Sequence, residues 1–177
     1  GFESDNSGVE VTNTSATESD GALSIRWASD AGSPMLAATP TFTPPEAIGM
    51  KGYKMVANPS LYSGQHVSAG VVASGANAGS VDVALALTYY GANDEVLSNI
   101  APAVSLAPGA SETLTWQVPD LSGLPVASIG LQITPENGAA GEVVLDWLTW
   151  EGAPSVTFTR PDGEGEENRR RRSPHYF

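Results

Sequence analysis

The chain has 177 residues, no cysteine and a formal net charge of −12. That length suits one domain with a core large enough to stand without cross-links, and the lack of cysteine excludes disulfides and thiolate metal sites. Residues 1–161 hold sixteen acids against four bases, Arg26, Lys51, Lys54 and Arg160. A field of that sign disfavours nucleic acid and anionic lipid and leaves neutral polymers and cations as partners.

Proline and glycine recur every few residues and interrupt any helical period, while Val, Thr, Ser and Ala dominate the rest, an all-β composition. No apolar run is long enough to cross a bilayer. In chain order, Phe2 and Glu3 open a first strand in which Phe2 buries and Glu3 points away. Asp20 then sits in a turn ahead of a strand over 21–27, with Leu23, Ile25 and Trp27 on one side. Four prolines, Pro34, Pro40, Pro44 and Pro45, predict a long irregular excursion from 28 to 51, a candidate wall of a binding face.

Strands are predicted next at 51–56 and within 63–75. The clearest alternation in the chain follows: Val81, Val83, Leu85, Leu87 and Tyr89 on one face, Asp82, Ala84, Ala86, Thr88 and Tyr90 on the other. A hairpin-type connection over 91–97 leads to a strand with Leu114, Trp116 and Val118 inward, then to one with Ile129, Leu131 and Ile133 inward and Ser128, Gly130, Gln132 and Thr134 outward. The last core strand, GEVVLDWLTWEG (141–152), places Asp146 among strand-forming residues beside Trp147 and Trp150. A further edge strand is predicted through Val156 and Phe158.

Eight to ten short strands separated by turn signals predict a two-sheet antiparallel jelly-roll β-sandwich over residues 1–161. From Asp162 the composition changes to an acidic block beside four arginines, which predicts a flexible charged tail over 162–177.

The N-terminal FES, the DGALSIRW strand, the LDWLTWEGAP segment and the VTFTRP after it resemble the carbohydrate-binding-module-like domain appended to bacterial ADP-ribosylglycohydrolase family proteins. More broadly the pattern is similar to galactose-binding-like jelly rolls. The resemblance implies a structural calcium ion joining the two ends of the sandwich, with Glu3, Asp20 and Asp146 as metal ligands, or nearby backbone carbonyls in place of Asp20, and Asp5 as an addition. It also implies an extracellular or cell-surface setting. The plainer reading of the same acids is that Asp146 accepts local hydrogen bonds and Glu3 is simply exposed. The helical catalytic part of that enzyme family has no counterpart in this sequence, so no enzymatic activity is carried over.

With only His66 and His175 in the chain, a nucleophilic triad lacks its base. Paired carboxylates for glycoside cleavage lack an aromatic, strand-end setting except at Asp146. Sugar binding on a sandwich instead rests on aromatic rings stacking against pyranose faces and on polar side chains that reach hydroxyls. Tyr53, Asp82, Tyr90, Gln132 and Trp150 are the predicted carbohydrate contacts, with Tyr62 and Trp147 as further aromatic candidates, while Trp27 and Trp116 are assigned to the core. Trp147 and Trp150 differ in parity, so a regular strand exposes one of them and buries the other. The expected partner is a polysaccharide or other glycan. The alternative is a scaffold domain whose alanine-rich outward face packs on a neighbouring domain or on another copy.

Overall fold

The computed structural model describes residues 2–14, 21–41, 61–91, 93, 95–124 and 126–155. These form ten strands and no helix: β1 (Val9–Thr14), β2 (Ala22–Trp27), β3 (Met35–Pro40), β4 (His66–Ala73), β5 (Val81–Tyr90), β6 (Val96–Ile100), β7 (Val104–Leu106), β8 (Ser111–Gln117), β9 (Val126–Pro135) and β10 (Gly141–Glu151). One sheet runs β1-β2-β10-β4-β8, hereafter the β10 sheet. The other runs β3-β9-β5-β6 with β7 paired to the start of β5, hereafter the β5 sheet. All pairings are antiparallel. From β2 to β5 the chain changes sheet at every strand, and it does so again from β8 to β10, which is the double-sheet jelly roll expected from the sequence.

Alternation builds the core between the sheets. The β5 sheet contributes Val83, Leu85, Leu87, Ile129, Leu131 and Ile133, and the β10 sheet contributes Ile25, Val67, Val71, Leu114, Val143 and Leu145. Each such side chain, fully buried, stabilises the fold by about 1.5–3 kcal/mol. Trp27 is buried among them with its indole N–H donating to Ala139 O at 2.8 Å, and Trp116 packs against the same cluster.

Five elements depart from the sequence reading. β3 lies inside the stretch expected to be irregular: Pro34 and Pro40 bracket a proline-free run whose Met35 and Ala37 are buried, so the prolines bound a strand instead of interrupting one. β1, with Val9 and Val11 packed against the core, and the short β6–β7 pair carry too little alternation to stand out. The segment at Phe2–Glu3 is an edge addition to the β5 sheet through a single two-bond bridge, Glu3 to Ala38. The strands expected at 51–56 and 156–161, and the tail at 162–177, lie outside the described residues.

The register of β10 breaks once. Leu145 pairs with Val71 and Trp147 with Gly70, so Asp146 is the extra residue of a β-bulge. Counted from Val143 and Leu145, unbroken alternation would turn Trp147 inward and Trp150 outward. The extra residue reverses both.

Candidate functional site

The outer face of the β5 sheet gathers three of the predicted carbohydrate contacts. Asp82 pairs with Thr134, Ala84 with Gln132, Ala86 with Gly130 and Thr88 with Ser128, so these residues form one stripe that ends at Tyr90 beside Val96. Thr88 and Ser128 share a hydrogen bond at 2.5 Å, and Asp82 is exposed at the opposite end. The middle of the stripe is closed: Ala84 and Ala86 point away from the core yet are 2 % and 1 % exposed. At Gly130 beside them β3 approaches so closely that a Cβ would lie 2.0 Å from Ala37 O. Beyond the stripe, β6 exposes Val96, Leu97 and Ile100. Tyr53 lies outside the described residues.

Trp150 does not belong to this face. It sits in the opposite sheet, turned inward by the bulge and packed against the core, and its indole N–H is buried without a hydrogen-bond partner. Half-buried there, it does not share a face with Asp82, Tyr90 and Gln132. The reason is the added residue at Asp146, which a strict two-residue period cannot register.

The tryptophan that the bulge exposes is Trp147, at 41 %. It faces outward from the β10 sheet and lies directly over Gly70 of β4, where an added Cβ would come within 2.3 Å of the indole Nε1 and 2.8 Å of Cδ1 and Cε2. The missing side chain at Gly70 is what lets the ring lie down on the strand. The outward residues beside it carry hydroxyls: Thr113 pairs with Gly70, and the next row is Thr149, Ser68 and Thr115. The row after that is Glu151, His66 and Gln117. Toward β2 the same face carries Glu142, whose carboxylate accepts from Ser24 Oγ and from Arg26 Nε at 3.2 Å.

Past Gln117 the face runs into a cavity of about 590 Å³ lined by Ser63, Gly64, Gln117, Asp120, Ser122 and Ser155 among others. Its walls are tied down. Ser63 Oγ, nearly buried, accepts from Leu121 N at 3.0 Å, and Ser63 O accepts from Ser155 N at 2.8 Å. Gln65, also buried, accepts from Tyr62 N and donates to Gly152 O. Gln117 Nε2 donates to Gly64 O at 3.2 Å. Asp120 Oδ1 accepts from Ser122 N at 2.9 Å, and Ser122 holds a φ of 57°, in the left-handed region that side chains other than glycine seldom occupy.

The acids expected to bind calcium are not assembled by the described residues. Glu3 is exposed at the edge of the β5 sheet, Asp146 is half-buried at the bulge of the β10 sheet, and Asp20 lies outside the described residues. Among the described residues no three acidic or histidine side chains converge as a metal site would require. Asp5 is exposed near Glu3 in sequence.

Geometry and sequence together define a class, a jelly-roll sandwich with two differently built outer faces. No protein-family model matches the sequence, and no curated protein matches it. Among solved structures the fold is similar to the CBM22-1 xylan-binding domain from Paenibacillus barcinonensis Xyn10C, with TM-score 0.53, 12 % identity and 88 % of each chain covered. It is also similar to the C-terminal family 22 carbohydrate binding module of Clostridium thermocellum Xyn10B, with TM-score 0.53, 15 % identity and 88 % of each chain covered. A Clostridium thermocellum xylanase chain carrying CBM22-1 and GH10 modules matches over 86 % of this protein with TM-score 0.51 and 13 % identity, and this protein spans 26 % of that chain. At such identities the likeness establishes the fold.

Proposed function

We propose that the protein is a non-catalytic carbohydrate-binding module that holds a polysaccharide on the outer face of the β10 sheet, with Trp147 as its platform. The observation that carries this reading is the exposed indole lying flat over Gly70 among the hydroxyls of Ser68, Thr113, Thr115 and Thr149. A flat aromatic face complements the C–H face of a pyranose, and short hydroxyl side chains reach the ring's own hydroxyls without adding charge. Similarity in fold to modules described as xylan-binding supports the class of ligand and suggests xylan as the first probe.

The test is affinity electrophoresis through gels containing soluble xylan or other neutral polysaccharides. Wild-type protein is retarded, Trp147→Ala runs with the control protein, and Tyr90→Ala and Gln132→Ala remain retarded. Retardation lost in the Tyr90 and Gln132 variants and kept in Trp147→Ala would move the ligand to the β5 sheet, where Asp82, Tyr90 and Gln132 lie in one stripe.

A scaffold role is favoured by one observation, the exposed Val96, Leu97 and Ile100 on β6 beside the closed alanine floor. Such an edge pairs readily with a neighbouring domain or a second copy. Size-exclusion behaviour that depends on concentration, abolished by Val96→Lys, would support it.

Three finer readings accompany the proposal. The sequence resemblance supports attachment to a bacterial ADP-ribosylglycohydrolase-type protein and an extracellular or cell-surface setting. A structural calcium ion rests on the acids Glu3, Asp20 and Asp146 and is tested by thermal unfolding. A folded-state site at a hundredfold excess of calcium over its Kd adds about 2.7 kcal/mol, and an unchanged melting temperature with calcium and with chelator removes the ion.

A further inference from the structure

We infer that the cavity beyond β8 is a second sugar subsite continuous with the Trp147 face, so that one neutral oligosaccharide stacks on the indole and inserts a further residue among Gln117, Asp120 and Ser122. This rests on the carbohydrate reading above and makes it more specific.

Continuity comes from the register. Thr113 pairs with Gly70 beneath Trp147, and Gln117 is four residues further along β8, about 13 Å at 3.3–3.4 Å per residue. Gln117 points to the same outer face as Thr113 and also lines the cavity. An extended oligosaccharide running along β4 and β8 from the indole therefore passes Ser68 and Thr115 and reaches the cavity.

The cavity is built to receive polar groups. Its volume, about 590 Å³, falls within the usual range for small-ligand sites, roughly 300–1,000 Å³. Its walls are held from behind by the nearly buried Ser63 and Gln65, so its shape does not depend on a ligand to order it. Ser122 adopts an unfavourable backbone conformation, and its N–H donates to Asp120 Oδ1. Strain of this kind persists where the surroundings enforce it, and it clusters at binding sites.

The chemistry selects the ligand. A carboxylate, a carboxamide and hydroxyls offer both donors and acceptors to sugar hydroxyls, and among the described residues no lysine or arginine lines the cavity. With a net charge of −12 on the chain, the subsite favours neutral sugars and disfavours uronate polymers.

Titration calorimetry with xylohexaose and xylobiose tests the assignment, with circular dichroism confirming that each variant is folded. Asp120→Asn and Gln117→Ala each weaken xylohexaose by about tenfold, and Trp147→Ala weakens it at least as much. Xylobiose, too short to span both elements, loses its dependence on one of the two. Xylohexaose affinities within about twofold of wild type in both cavity variants, with Trp147→Ala still defective, would overturn the subsite and leave the platform standing. Unaltered xylohexaose binding in all three variants would overturn both, as would the absence of wild-type binding.

Discussion

Two mid-strand glycines, Gly70 and Gly130, predict opposite responses to the same substitution. At Gly130 an added Cβ meets backbone, 2.0 Å from Ala37 O and 2.5 Å from Ala38 Cα, whereas Cβ contacts under 3.0 Å are essentially never seen. Relief requires β3 to move about 1 Å from β9, which stretches ladder bonds near 2.9 Å beyond hydrogen-bonding range. Losing two or three such bonds at about 0.5–1.5 kcal/mol each places Gly130→Ala at about 3 kcal/mol. At Gly70 the obstruction is the indole of Trp147, a side chain that is 41 % exposed and free to swing out. The lost aromatic contact, about 1 kcal/mol, is offset by the roughly 0.5–1 kcal/mol gained when alanine replaces a strand glycine. Gly70→Ala therefore changes stability by less than about 1 kcal/mol while displacing the platform, so the folded variant loses retardation in xylan gels. Urea unfolding followed by far-UV circular dichroism, with unchanged m-values, gives both numbers. Equal destabilisation by the two substitutions would refute the reasoning, because it would mean that Trp147 is a fixed cover over β4.

The other tryptophans give a comparison of their own: Trp27→Phe strips the donor from Ala139 O, whereas Trp150→Phe removes an indole N–H that has no partner. Trp27→Phe is the more destabilising by about 1 kcal/mol in the same urea assay. Asn77→Ala leaves the backbone N–H of Glu142 without its acceptor, Asn77 Oδ1 at 2.9 Å, at the start of β10, and lowers stability by about 2 kcal/mol. Arg26→Ala breaks an ion pair whose arginine side chain is 62 % exposed. It costs less than about 1 kcal/mol, and the loss shrinks further in high salt.

The architecture was legible because strict alternation in residues 81–90 and 126–134 is a direct print of a sheet with one face on a core. Val83, Leu85 and Leu87 and their partners Ile129, Leu131 and Ile133 are all buried where the period puts them. β3 is hidden because prolines signal interruptions, although at Pro34 and Pro40 they stand just before the strand and at its last residue. β6 was hidden because its exposed Val96, Leu97 and Ile100 follow no buried-face pattern. Asp82, Gln132 and Tyr90 share a face as their parity requires, but parity says nothing of what closes the alanine floor between them.

The reversal of Trp147 and Trp150 shows where such reading stops. Side-chain direction in a strand is a cumulative count, so one extra residue on one side of the ladder changes the sign of every position after it. In β10 that residue is Asp146, and everything C-terminal to it exchanges core for solvent. A signal was present on the partner strand: Gly70 interrupts the run HVSAGVVA at an outward position, where a glycine marks a bulge or a close approach. Pairing Gly70 with an aromatic across the ladder and the bulge with Asp146 are one event, because the ring can lie over the glycine only after the extra residue has turned it outward. The exposed platform and the half-buried Trp150 are therefore two consequences of one bulge. Deleting Asp146 should remove the bulge and keep the register, with Leu145 opposite Val71 and Trp147 opposite Gly70, so that Trp147 stays outward and Trp150 stays on the core side. Unchanged quenching of Trp147 by acrylamide in single-tryptophan variants would report the retained register, and reduced quenching would show that the indole's direction depends on the bulge itself and not on the count.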